Sequence, residues 1–201
     1  MTTQMDSPAA PAMRRLHIGG TVRKDGWEVL NALPGDHVDH LGDAMDLSRF
    51  EDATFHGIYA SHVLEHFDYA SELPMVLGEW GRVLHPQGRL LLSVPDLSVL
   101  CAIMLDRDNT LSHQLMVMRM IFGGHVDQYD HHKAGFTEAL LSAFLRDAGF
   151  VCCRRVHALG LFDDTSDMMY KGRRISLNMV AYKDAAAARE DGIEAVDDES
   201  I

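Results

Sequence analysis

The stretch Phe55–Phe67, FHGIYASHVLEHF, sets the organisation of the chain. An apolar run, Ile58-Tyr59-Ala60, leads to a small polar pair, Ser61-His62, and a helix-like turn, VLEHF, follows at once. A strand that ends in small residues and opens into a polar turn is how open α/β sheets form ligand crevices at the carboxyl ends of their strands. Next comes Leu73 to Leu84, with Leu73, Val76, Leu77, Trp80 and Leu84 at helical spacing. Pro74 fits its first turn, where a missing N–H costs nothing. HPQG then reads as a tight turn, and Arg89 to Val94, RLLLSV, as a continuously apolar strand covered on both faces. The unit is βαβ, which commits the chain to a parallel sheet.

The flanking segments extend that sheet. Arg14 to Gly20, RRLHIGG, predicts a first strand ending in a glycine pair, where the backbone can turn sharply and a ligand can come close. Trp27–Leu33 and His37–Ala44 predict two further strands before the one at Phe55. Asp96 to Arg119 has a helical, Met-rich pattern, and Gly123 to Lys133 is a polar loop. Thr137 is a helix N-cap with Glu138 in the first turn; Leu140, Leu141, Phe144, Leu145 and Ala148 form an apolar face and Gly149 a stop. Val151–Leu159 and Ile175–Tyr182 predict a closing strand pair joined without a helix, so the last strand is expected to run antiparallel. The expected fold is therefore a Rossmann-like α/β sheet of seven strands, mostly parallel, flanked by helices. Residues 14–183 form one domain, between a mobile tail over 1–13 and a disordered acidic tail over 184–201.

Net charge of −12 argues against a sequence-independent nucleic-acid binder and against attraction to anionic membranes. No apolar run approaches the roughly 20 residues of a membrane span. The first residues lack the layout of a secretory signal. Cys101, Cys152 and Cys153 give an odd count, expected as reduced, buried thiols in a cytoplasmic protein. Met104, Met116, Met118 and Met120 are expected as adaptable core filler, and Trp27 and Trp80 as core.

Four strings together resemble class I S-adenosylmethionine-dependent methyltransferases of the "methyltransferase domain 11" type: LHIGG, GDAMDL, IYASHVLEHF and EWGRVLHPQGRLLLSVPD. The resemblance implies S-adenosyl-L-methionine as cofactor and a small molecule or glycan intermediate as methyl acceptor. It places Gly19 and Gly20 at the methionine end, and Asp43, Ala44 and Met45 at the adenine. Ala60, Ser61 and His62 would form the floor near the methyl group. Asn31 stands where the resemblance expects a carboxylate for the ribose hydroxyls. A neutral hydrogen bond there in place of a charge-assisted one weakens cofactor binding by about tenfold. A catalytically weak or inactive binding module is the alternative this motivates, and self-association is left open.

A hydroxyl acceptor needs a base within hydrogen-bond reach. Candidates are His62 at the strand tip, His131 and His132 in the cluster His125, Asp127, Tyr129, Asp130, His131, His132, and Asp96 at the tip of the fifth strand. The plainer readings are a solvated loop for the cluster and a helix cap for Asp96. HVLEH, His62 to His66, also fits H-x-x-E-H, the inverted zinc-protease string. Its start at a strand tip rather than on a helix weighs against a zinc hydrolase, and no metal ligand is expected. Asp163, Asp164 and Asp167 read as a solvated turn rather than a cation site.

Overall fold

The computed structural model describes residues 13–191. Four strands, β1 (Arg15–Ile18), β2 (Glu28–Asn31), β3 (His40–Leu41) and β4 (Phe55–Ser61), precede α1 (Leu73–Val83) and β5 (Leu84–Pro95). Then come α2 (Leu97–Met104), α3 (Leu111–Phe122), α4 (Glu138–Asp147), β6 (Cys152–Val156), a small hairpin β7 (Met169–Tyr170) and β8 (Arg173–Arg174), β9 (Ser176–Tyr182) and α5 (Ala185–Glu190). The main sheet has seven strands in the order β3-β2-β1-β4-β5-β9-β6. All pairs up to β5 are parallel, and β9 is antiparallel to both its neighbours.

Strand alternation divides the core into two faces. Ile58 and Ala60 of β4, Leu90, Leu92 and Val94 of β5, and Leu177 and Met179 of β9 point to the face covered by α1 and α4. Tyr59, Leu91, Val180 and Tyr182 point the other way. The two-residue period of a strand, applied to continuously apolar sequences, fills both faces at once. Trp80, Leu77 and Val76 of α1 are fully buried, as the helical spacing predicted.

Only the β4-to-β5 crossover among the parallel pairs contains a helix. β1 reaches β2 through Gly19–Trp27, shorter than the about twelve residues typical of a parallel crossover. The sheet face above β1 is covered instead by Phe162, from the connection between β6 and β7. Its ring lies 4.0 Å from His17, 4.7 Å from Tyr59 and 5.5 Å from Trp27. A loop far along the chain thus does the covering that a local crossover helix would otherwise do.

Several expectations are corrected. HPQG does not break the chain between α1 and β5; the strand runs from Leu84 to Pro95, and the irregularity shows as a register shift opposite Phe55–Gly57. Residues from 184 onward are not uniformly without structure: Asp184 caps α5, whose Ala187 and Ala188 are buried beside Tyr182. Residues 1–12 and 192–201, which include most of both expected tails, lie outside the described residues. Cys101 is exposed rather than buried, whereas burial pushes the Cys153 thiol up to about 12. Met116 and Met118 are exposed on α3, because only one face of that helix meets the core. Among the described residues no helix is long and apolar enough to cross a membrane.

His17 is 4% exposed, with Nδ1 lacking a partner, and burial lowers its pKa to about 4 against a smaller opposing pull from Asp164. The unfolded chain binds this proton near pH 6.5 and the folded chain only near 4, so stability from this group is complete above pH 6.5 and is lost as pH falls toward 4. The loss is about 3 kcal/mol at 1.36 kcal/mol per pH unit. In urea unfolding, His17→Phe should therefore gain about 3 kcal/mol relative to the parent protein between pH 7 and pH 4. A gap that stays constant with pH would show that His17 is not buried in its neutral form.

Candidate active site

The sheet order reverses at β1: the chain moves outward through β2 and β3, then returns to place β4 on the other side. Open α/β sheets bind ligands at the carboxyl ends of the strands at such a switch point. A cavity of about 500 Å³ opens there, within the range of small-molecule sites. Its wall takes Gly19 just after β1, Leu30 and Asn31 from β2 and Leu33 just after it, Asp43, Ala44 and Met45 after β3, and His62, Val63 and His66 after β4. The loop before α4 closes one side with Gln128, Tyr129, His131 and Lys133.

Of the residues singled out in the sequence, the cavity brings together Gly19, Asn31, Asp43, Ala44, Met45, His62 and His131. Gly19 has φ +73, a left-handed conformation that glycine adopts without strain. Asn31 is occupied at both ends of its amide: Nδ2 donates to the Gly20 carbonyl at 2.9 Å and Oδ1 accepts from Leu33 N at 2.9 Å. Asp43 holds the next turn by accepting from Met45 N at 2.9 Å, and Trp80 Nε1 anchors that turn by donating to the Ala44 carbonyl at 2.8 Å.

Gly20, Ala60, Ser61, His132 and Asp96 do not line the cavity. Gly20 and Ala60 are buried, Gly20 against the His17 ring. Ser61 and its β5 partner Ser93 bury hydroxyl oxygens that find no partner. Asp96 is a correction: one oxygen caps α2 through Val99 N at 3.1 Å, and the other pairs with Arg155 at 2.7 Å. With both oxygens committed, this carboxylate is a structural cap, not a base at the cavity. His132 lies behind the wall, its Nδ1 3.2 Å from the Ile121 carbonyl, and burial holds its ring below the usual histidine range.

His62 sits at φ +54, which is uncommon for a residue with a side chain but tolerated by histidine more than most. Ser176 Oγ lies 2.8 Å from the Thr165 carbonyl, which can only accept, so the hydroxyl proton points there. His62 Nε2, 2.9 Å from the same Oγ, must then donate to it. Nδ1 faces Glu65 Oε1 at 3.1 Å. Both His62 nitrogens are engaged. His131, by contrast, stacks on His125 at 4.1 Å and borders the cavity.

The acidic residues of the His125–His132 loop shape the backbone. Asp130 accepts from Gly124 N and Val126 N, and Asp127 from Tyr129 N and Asp130 N. Lys133 N and Ala134 N both donate to the Glu65 carbonyl, which clamps the loop to the turn after β4. Phe67, Glu72, Gln128 and Lys133 also line the cavity and were not singled out in the sequence. Glu72 and Lys133 pair at 2.8 Å across 61 positions, a contact with no local signal. HVLEH does not form a zinc-protease helix: residues Leu64–His66 make a single 3-10 turn, and His62 is turned toward Ser176.

Known proteins share this fold. Residues 28–92, from β2 into β5, match the family model described as "Methyltransferase domain". The solved structure of a SAM-dependent methyltransferase from Archaeoglobus fulgidus is similar at TM-score 0.56 and 17% identity, covering 85% of this chain and 86% of that one. The chain has the fold of the class I S-adenosylmethionine-dependent methyltransferases.

A SAM-dependent methyltransferase of Thermotoga maritima, described as a possible histamine N-methyltransferase, is similar at TM-score 0.52 and 16% identity, over 88% of this chain and 84% of that one. The trans-methyltransferase CalH, solved in complex with SAH, is similar at TM-score 0.50 and 17% identity; the match covers 85% of this chain and 51% of CalH. No curated protein sequence matches the chain. S-adenosylmethionine is the methyl donor named for solved methyltransferases of this fold.

Proposed function

We propose that the chain binds S-adenosylmethionine in the switch-point cavity and transfers its methyl group to a small-molecule or glycan acceptor. The observation that carries this reading is the composition of the cavity wall, which takes residues from the ends of β1, β2, β3 and β4 in turn. The lining fits the cofactor. Leu30, Leu33 and Met45 offer apolar surface to the adenine, the backbone at Gly19 leaves room at the methionine end, and Asp43 supplies an acceptor for hydroxyls. The bound cofactor supplies a methyl group already activated on a sulfonium, so the protein's part is alignment of the acceptor and removal of its proton.

On this reading that proton goes to His131. It borders the cavity on the loop that closes it, whereas His62 spends its nitrogens on Ser176 and Glu65. Free thiols at Cys101, Cys152 and Cys153 fit a reducing cytoplasm.

Calorimetric titration with S-adenosylmethionine and S-adenosylhomocysteine tests the reading. Micromolar binding of both is expected, with Asp43→Ala abolishing it. His131→Ala should keep cofactor binding and lower methyl transfer to an acceptor by about 10²–10⁴-fold. Absence of binding at millimolar ligand would overturn the reading. The tied amide of Asn31 favours a second reading, cofactor binding without turnover. Demonstrated methyl transfer to any acceptor would remove it.

A further inference from the structure

Behind the cavity wall, one donor atom from each of Glu65, His66 and His132 lies within 4.8 Å of the other two. We propose that these three side chains form a site for a divalent transition-metal ion of the zinc class, set at the edge of the switch-point cavity and distinct from the HVLEH zinc-protease arrangement.

The first support is Glu65. Its side chain is 1% exposed, and neither carboxylate oxygen has a hydrogen-bond donor. His62 Nδ1 stands 3.1 Å from Oε1, near enough for an ion pair but out of line for a hydrogen bond. A buried carboxylate with unpartnered oxygens is costly unless it is paired or bound to a metal.

The second support is the orientation of the two imidazoles. His66 Nδ1 lies 3.2 Å from the His131 carbonyl, and His132 Nδ1 lies 3.2 Å from the Ile121 carbonyl. A carbonyl can only accept, so each Nδ1 carries the hydrogen and each Nε2 keeps its lone pair in the neutral ring. Donation from the far ring nitrogen to a backbone carbonyl is the outer arrangement that fixes metal-bound histidines. The rings meet edge to face at 4.9 Å, as two ligands of one ion can.

One carboxylate and two imidazoles suit zinc and its neighbours rather than calcium or magnesium. A tetrahedral ion with ligands at about 2.0–2.1 Å sets donors about 3.4 Å apart, so small side-chain rotations close the set. Three ligands leave a position open, and His66 borders the cavity. The ion would join the 3-10 turn after β4 to the loop that closes the cavity, adding to the backbone bonds from Lys133 and Ala134 to Glu65.

The test uses the full chain, prepared without a histidine tag and stripped with chelator. Co²⁺ is titrated with visible absorption as the readout, and Zn²⁺ stoichiometry is measured after dialysis. One ion per chain is expected, with d–d absorption of a low-coordinate site and a raised melting temperature in Zn²⁺. His132→Ala and Glu65→Gln, checked for folding by circular dichroism, should weaken Zn²⁺ by at least the roughly 100-fold that loss of even an outer partner can cost. No stoichiometric ion in the parent protein overturns the proposal, as does an affinity unchanged in both folded variants. None of these readouts involves the methyl donor, so the outcome is separate from that of the cofactor titration.

Discussion

Replacing Trp80 with alanine is expected to remove about 3–5 kcal/mol of folding stability, the largest loss of any single substitution considered for this chain. Trp80 is fully buried in the face of the core under α1, and its indole N–H donates to the Ala44 carbonyl at 2.8 Å. The loss combines a large cavity with an orphaned carbonyl, and it takes about a fifth or more of a typical domain's roughly 5–15 kcal/mol. The effect reaches the site as well, because Ala44 and its neighbours Asp43 and Met45 line the switch-point cavity. Trp80→Phe separates the two contributions. It keeps most of the packing and leaves only the carbonyl unpaired, at about 1–3 kcal/mol. Urea unfolding measures stability, and S-adenosylhomocysteine titration reads the turn. Trp80→Phe should weaken binding out of proportion to its effect on stability; unchanged binding would show that the indole does not hold the Asp43–Met45 turn in place.

Gly19→Val is expected to abolish cofactor binding, by about 100-fold or more. Gly19 has φ +73, and a Cβ built there would stand 2.6 Å from Val63 Cγ2. Left-handed backbone costs a β-branched residue about 1–2 kcal/mol, and the collision adds to it. Val63 follows His62 at the tip of β4, so relief of the clash moves the two strand ends that flank the switch point. Gly160→Val is the control. It has a similar φ, +64, with nothing within 4 Å of the added Cβ, and it does not line the cavity. Both variants should lose stability through backbone strain, and only Gly19→Val should lose binding. Equal binding in the two would mean that the end of β1 does not contact the cofactor.

The sheet was legible because its signals are local. Alternation or continuous apolarity over Phe55–Ser61, Arg89–Val94 and Ser176–Tyr182 marks the strands, and a helical spacing over Leu73–Val83 marks the one crossover helix. Thr137 was readable as a cap because capping involves residues three apart; its hydroxyl does accept from Leu140 N. The same holds for the string of loop residues that follow each parallel strand, since a strand's end and the turn after it are contiguous in sequence. That is why the sequence gathers Gly19, Asn31, Asp43 to Met45 and His62 into one expected site, and why the cavity collects them.

Tertiary structure alone decided what those residues are free to do. Asp96 sits at a strand tip like His62, yet Arg155, 59 positions later, takes its second oxygen. His62 looks like a base in the sequence, but Ser176 and Glu65 hold its two nitrogens. Phe162 covers the face left open by the short first crossover, and nothing near Gly19–Trp27 announces it. His132 joins Glu65 and His66 only because the loop after α3 is bonded back onto the turn after β4. Periodicity and capping are set by neighbours within a few positions, so the sequence by itself determined the elements, their order and the end of the sheet where a ligand fits. Hydrogen-bond partners and burial are set by contacts across many tens of residues. The chemistry left to each polar side chain was therefore decided only when the chain closed.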